Sequence, residues 1–436
     1  MISLLNKQGN ILAIGEFVFL QGVLFLPFAF PIGAFFLLIS LIIALIINRN
    51  QIFKDKWNYP LFMSIGIILL STINATSREI SFELLNYGKS IIWINLFNWI
   101  PILIGFFAFQ TYLKSIQQKI NFSKFLLIGT IPVIISCILQ FNFNIYGPFS
   151  ILNGLIVWFQ YPLDNSSIAV TGLFSNQNYT ACYLSTVLPF SLLALKLVKR
   201  NLNKCILFIY NLLIVYFLFL TYSRNAFICL FIISLCFFGI KRFLLIISSL
   251  SIISLFLGSL SIANSYIVSF FSSINLSTFD SIKASLITAP RIQIWESSIS
   301  LISQKPLLGW GASTFSHLFN FHNNKVRIPI KSFDSQHSHN LFLELAHNFG
   351  LPLALLILIT LIFLVFKVKR EINTVNKAPE YSICNTWLLA SLLILLCQTT
   401  DITYYDGKIS LLISILFAGL RTILPSSNSK KKHILS

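Results

Sequence analysis

Twelve long runs of mainly apolar residues divide this chain, and they commit it to a lipid environment before any motif is considered. They fall at 11–30, 31–48, 60–75, 91–109, 125–141, 179–197, 205–222, 225–240, 243–263, 341–366, 383–400 and 409–424. A helix needs roughly 17–25 residues to cross a hydrocarbon core of about 30 Å, so each run is a candidate span. The third and eighth are short enough to require tilt or interruption. Charged residues make up 10% of the 436 positions and hydrophobic residues 56%. Soluble domains carry about 25% and 45–50%, so a water-soluble enzyme is excluded. The expected fold is an all-α polytopic membrane protein with about 12 transmembrane helices and a large, partly helical outer loop between spans nine and ten.

The formal charge of +18 would suggest nucleic acid in a soluble domain, but in a membrane protein it records topology. With both termini cytoplasmic, the inward segments hold 21 of the 31 basic residues, from Lys7, Arg49, Lys54 and Lys56 through to Arg421 and Lys430–Lys432. The short outward segments hold Arg78, Lys89, Arg224 and Lys408; the remaining six lie in 264–340, a segment long enough to translocate regardless of charge. The asymmetry sets the orientation and supports the span count, because removing one span would scramble the alternation. No nucleic-acid partner is implied.

Four regions follow: spans one to nine over 1–263, the outer loop with an amphipathic helix over 264–340, spans ten to twelve over 341–424, and a basic cytoplasmic tail over 425–436. The tail's Lys430, Lys431 and Lys432 suit contact with anionic lipid. The first apolar run follows a single lysine and leads directly into a second run, which argues against a cleaved signal peptide. The seven cysteines sit in or beside apolar runs without a Cys-x-x-Cys pair, so neither a disulfide framework nor a metal site is expected. No internal repeat of the kind found in two-half transporters is visible.

The polar residues that need explaining gather on the outer side. Thr171-Gly172-Leu173-Phe174-Ser175-Asn176-Gln177-Asn178 opens the sixth span, with glycine and asparagine types that suit a tight turn and a helix cap. Arg224 stands in Thr221-Tyr222-Ser223-Arg224-Asn225, between two apolar runs, where a cation is costly unless it snorkels or serves a function. Pro290-Arg291-Ile292-Gln293-Ile294-Trp295-Glu296 begins an amphipathic helix with Ile292, Trp295, Ile299 and Ile302 expected on its docking face. Arg291 falls in its first turn, where a cation gains nothing from the helix dipole. Four of the six histidines, His322, His337, His339 and His347, lie within one stretch. His-x-His lacks a third ligand at a recognised metal spacing, whereas a histidine beside an amide and near an acid suits general base work.

The order of these motifs resembles the O-antigen ligase and O-antigen polymerase superfamily, bacterial inner-membrane glycosyltransferases that use lipid-linked sugars. The resemblance is carried by Gly172-Leu-Phe-Ser-Asn-Gln-Asn178, by Ser223-Arg224-Asn225, by Arg291 with Trp295 leading to Pro306-Leu-Leu-Gly-Trp-Gly311, and by His339-Asn340-Leu-Phe-Leu-Glu344 followed by Gly350. It spans roughly 171–352 and implies a GT-C-like, metal-independent inverting enzyme without a cofactor, its site on the periplasmic face. The implied partners are a glycan on polyprenyl (undecaprenyl) diphosphate as donor, lipid A core or another glycan as acceptor, and membrane lipids. By the same resemblance His339 is the catalytic base and Arg224 and Arg291 bind the donor diphosphate, with Asn340, Glu344, His337 and Asn178 in support and Glu344 or Asn340 orienting the base. Two departures stand out: the family commonly has Asn-Pro-Asn where this chain has Asn176-Gln177-Asn178, and an arginine before the Gly172 turn where 168–171 offers none.

Two other readings compete. A repeat-unit polymerase of the same superfamily would use similar donors on the same face; the length of 264–340 leans toward a ligase. A transporter, for example of inorganic carbon, would need ionisable residues at mid-span. Here Glu16 lies near the start of the first run, and Asp401 and Asp406 bound a short outer turn.

Overall fold

The computed structural model describes residues 2–77, 89–160, 162–163, 169–236, 290–326, 335–375 and 378–425. The ninth run, 243–263, the basic tail and the first part of the outer loop lie outside them. Helices dominate. The first group is α1 (Ile2–Phe25), α2 (Phe30–Ile52), α3 (Tyr59–Ser77), α4 (Lys89–Ile94), α5 (Ile100–Ala108) and α6 (Ile116–Phe143). After a two-stranded hairpin, β1 (Phe149–Ile151) and β2 (Ile156–Trp158), come α7 (Gln177–Leu197), α8 (Asn201–Leu220) and α9 (Arg224–Cys236). The last group is α10 (Pro290–Gln304), α11 (Phe315–Val326), α12 (Leu341–Phe349), α13 (Leu351–Ile372), α14 (Ala378–Cys397) and α15 (Gly407–Arg421). The hairpin was not foreseen in the all-α reading of the sequence.

Local chemistry sets the helix starts. Ser115 and Gln118 form a reciprocal capping box on α6, Asn176 accepts from the Asn178 N–H at α7, and Asp406 accepts from Lys408 and Ile409 at α15. Proline stands in the opening positions of α2, α5 and α13, where its missing N–H has no intrahelical role.

Among the described residues, eight helical segments are long and apolar enough to span a membrane, and Gly9–Phe25 and Arg224–Cys236 are shorter apolar helices. The exposed side chains of α13, such as Ile359 and Phe366, and of α3, such as Met63, form apolar surfaces that water would not tolerate but lipid does. The main core gathers Phe19, Tyr112, Phe122, Phe190 and Trp387 from α1, the turn after α5, α6, α7 and α14. The fifteen residues of α15 run inside the bundle, nearly all buried from Ile409 to Arg421.

The run 341–366 is not one span. It divides at Gly350, whose φ of +95° ends α12, and Pro352 then opens α13. The break exists because another segment crosses it. Trp310 and Gly311 donate their backbone N–H to His347 and Asn348 at 2.8 and 2.9 Å, and Leu351 donates to Pro306 at 2.7 Å. The backbones approach too closely for side chains: a Cβ on Gly309 would lie 2.5 Å from the His347 carbonyl oxygen, and one on Gly350 would collide with the Leu307 carbonyl. Ser71 of α3 donates to Leu308 and Asn348 carbonyls, fastening the crossing to the bundle.

The expected consequence is local and testable. Gly350→Ala combines that collision with a left-handed backbone, a strain of about 1–3 kcal/mol, and should lower the thermal midpoint of the detergent-solubilised protein. Gly66→Ala, in the interior of α3 with nothing within 4 Å of its Cβ, should leave it the same or slightly higher, since alanine favours the helix.

Candidate active site

The end of α14 is the platform. Leu341 donates its N–H to the Gln398 carbonyl at 2.9 Å, and Asn340 donates its side-chain amide to Thr399 at 2.7 Å. The same Asn340 accepts from the Phe342 and Leu343 N–H groups, capping α12. One asparagine thus starts a helix and ties it to α14. From the other side, Asn225 donates to the Cys397 carbonyl at 2.8 Å, which brings the start of α9 to this end of the bundle. The following turn is held by Trp99, stacked on Tyr404 with centroids 4.6 Å apart, and by the Tyr404 hydroxyl donating to Asn98.

His339 has a φ of +51°, an uncommon backbone for a residue with a side chain. That conformation places its Nδ1 2.9 Å from Asp401 Oδ1. Arg291, from the first turn of α10, approaches the second oxygen of the same carboxylate, with Nη2 3.6 Å from Oδ2. Asp401 is almost fully buried, with 7% of its side chain exposed, whereas 25% of His339 and 42% of Arg291 remain open. Burial pushes the Asp401 carboxyl up, but the His339 hydrogen bond and the charges of His339, Arg291 and His337 outweigh it and hold the group below its ordinary value. Asp401 is therefore an ionised acceptor at neutral pH, so the proton between the two belongs to His339 Nδ1. In neutral His339 the Nε2 lone pair is then the free one.

Glu344 and Asn340, expected to orient the histidine, hold the backbone on either side of it. Glu344 is buried and accepts from the Ser338 N–H at 2.9 Å, the Tyr405 hydroxyl at 2.6 Å and the Asn348 amide at 3.3 Å. It anchors the backbone immediately before His339. Burial and the neighbouring Glu344 charge push the Tyr405 phenol well above its ordinary value, keeping it a donor. His337 lies between them, stacked on Tyr405 at 5.7 Å and edge-on to His339 at 4.5 Å. Burial, and then the His339 charge, push His337 toward its neutral form.

Arg224 opens α9 exposed, at the same end of the bundle through its neighbour Asn225. Asn178 lies in the first turn of α7, half-buried, below the Gly172 turn. That turn is held by Gln140, which accepts from the Thr171 and Gly172 N–H groups, and by Lys408, which donates to the Leu173 carbonyl over the Phe174 ring. Lys408 of α15 is thus a cation held at this turn. His347 is a core residue, fully buried, contacting Thr314 at 3.2 Å and the edge of Phe315. The side chain of His322 lies outside the described residues, among which no three metal-ligating groups converge.

The docking face of α10 is rotated from the expected one. Ile294, Ser297, Ser298, Leu301 and Ile302 are buried, whereas Ile299 is 58% exposed. The small serines permit close packing, and Ile294 and Leu301 meet Phe315 and Phe319 of α11. Apolar spacing alone favoured Ile299; the serine pair decided otherwise, and this rotation accompanies Arg291 at Asp401.

The residue that sequence reasoning missed is Asp401. Its signal was present, since an acid directly after an apolar helix requires a reason, but nothing along the chain joined it to a histidine 62 positions earlier.

In comparison with known protein families, residues 209–359 match the family described as O-antigen ligase. No curated protein matches the chain. The matched segment contains Arg224, Arg291, His337, His339, Asn340 and Glu344, and ends before Asp401. It supports the O-antigen ligase superfamily relationship drawn from the motifs.

Tyr405→Phe removes one donor from the buried Glu344 carboxylate, a loss of about 1–3 kcal/mol. The expected result is a lower thermal midpoint, measured by thermal unfolding in detergent.

Proposed function

Because residues 209–359 carry the O-antigen ligase relationship, we propose that the chain transfers a glycan from a polyprenyl diphosphate carrier to an acceptor hydroxyl. Transfer takes place at the outer face of the bacterial inner membrane. The observation that carries this reading is the shared carboxylate: Asp401 binds His339 Nδ1 and Arg291 at once, leaving a base and a cation side by side.

In the proposed step the acceptor hydroxyl gives its proton to His339 Nε2 while its oxygen attacks the sugar C1. The bond from C1 to the phosphate oxygen breaks, and the lipid diphosphate leaves with the electron pair. Asp401 stabilises the imidazolium that forms. Arg291, with nearly half its side chain open, and Arg224 offer planar donors to the phosphate oxygens, where charge develops. A positioned base of this kind contributes about 10²–10⁴-fold to the rate. Attack from the face opposite the leaving group makes the reaction inverting, and the charge stabilisation comes from side chains alone.

The test is glycan transfer from a purified lipid-linked donor by reconstituted protein. His339→Ala should insert normally and abolish transfer; full activity in that variant would overturn the assignment. Asp401→Asn exchanges an acceptor for an amide that can donate to Nδ1, moving the ring proton to Nε2. It should lower kcat by about 10²–10⁴-fold with less effect on KM. Arg224→Lys and Arg291→Lys keep charge but lose the fork, so donor binding or turnover should weaken in each. Products on a non-carrier acceptor identify a ligase, whereas longer chains on the carrier identify a polymerase.

A further inference from the structure

We infer that the hairpin between α6 and α7 is a lipid-contact element, its tip seated among the upper acyl chains of the leaflet at the His339 end of the bundle. The strands pair antiparallel, Phe149 with Trp158 and Ile151 with Ile156. The turn between them is Leu152-Asn153-Gly154-Leu155, closed by the Leu155 N–H donating to the Leu152 carbonyl at 3.1 Å. Asn153 and Gly154 have φ of +54° and +87°, the left-handed pair that Asn-Gly supplies in tight hairpins. Leu152 before them is also left-handed, at +52°, and the outer residues of the turn are not those of a water-facing one. Leu152 and Leu155 are 62% and 56% exposed.

The apolar surface continues on both sides of the tip through Phe143, Ile145, Ile151, Val157 and Phe159, all exposed. From Phe141 to Gln160 there is no charged residue. A patch of this extent on a water-facing loop would be an aggregation liability; beside a spanning helix it is a lipid surface. The hairpin begins six residues after α6 ends, so it stands at the membrane boundary. Its depth is limited by its own backbone. Among the described residues the sheet has only two strands, so its outer N–H and C=O groups need water or headgroups and cannot enter the hydrocarbon centre. The position that satisfies both demands has the backbone at headgroup level and the leucines among the upper acyl chains.

The element is also fixed to the bundle. Trp158 donates its indole N–H to the Phe28 carbonyl, in the turn between α1 and α2, at 2.7 Å. Its end of the bundle is that of the site, because α6 holds the Gly172 turn through Gln140 and that turn contacts Lys408 of α15. Only the naming of this leaflet as the outer one rests on the proposed function; the lipid contact does not.

The test uses the full chain with the exposed Cys205 and Cys236 replaced by serine and one cysteine introduced at Leu152 or Leu155. An environment-sensitive dye is attached, and the protein is reconstituted into phosphatidylethanolamine and phosphatidylglycerol vesicles. The expected result is blue-shifted emission, quenched more by nitroxide on the upper acyl chain than by aqueous iodide. Water-like emission quenched by iodide would overturn the inference, as would protection from both quenchers, which would mean protein contact. With the dye moved to Phe159, adding Leu152→Asp and Leu155→Asp should shift quenching from nitroxide to iodide; an unchanged pattern would also overturn it. Neither readout requires transfer activity, so an inactive protein leaves the test intact.

Discussion

The site depends on one carboxylate that has been taken out of water and given two partners. Asp401 follows α14, keeps 7% of its side chain exposed, and receives His339 and Arg291 from separate segments of the chain. Burial without partners would favour its neutral form; the partners keep it charged. The dependence is mutual. An ionised Asp401 fixes the His339 tautomer and gives Arg291 a reason to sit in the first turn of a helix. Because the folded carboxyl titrates below its ordinary value of 3.8, this contribution is complete above that pH and is lost as the pH falls through the lowered value.

Much of the architecture was legible along the chain, because crossing lipid imposes length and apolarity directly on sequence. The helix caps were legible for the same local reason: Asn176 can be read within three or four positions of the groups it satisfies. What could not be read depends on contacts distant in sequence. Run 341–366 has the hydropathy of one span, and its division at Gly350 follows from a crossing by residues 306–311. Glu344 was the nearest acid to His339, but three donors already occupy it, and the acid at the His339 ring comes from 62 positions away.

The hairpin and α10 show a different limit. Apolar residues in a membrane protein have two reasons to be apolar, lipid and core, and periodicity does not distinguish them. Ile299 has the spacing of a docking residue but is exposed, while Ser297 and Ser298 are buried. Leu152 and Leu155 would read as core residues in a soluble chain, yet they form the tip of an exposed turn.

The backbone crossing at Gly309, Gly311 and Gly350 also fixes how a displacement would reach Asp401. Gly311 donates to Asn348, near the end of α12, while Ser338 donates to Glu344, in its first half. Thr314 and Phe315 contact His347 of the same helix, and α10 packs against it. Arg291 and His339 therefore approach Asp401 from elements that lean on one nine-residue support. A shift of α12 would carry both partners of the carboxylate together, so the glycine crossing serves as a mechanical reference for the pair.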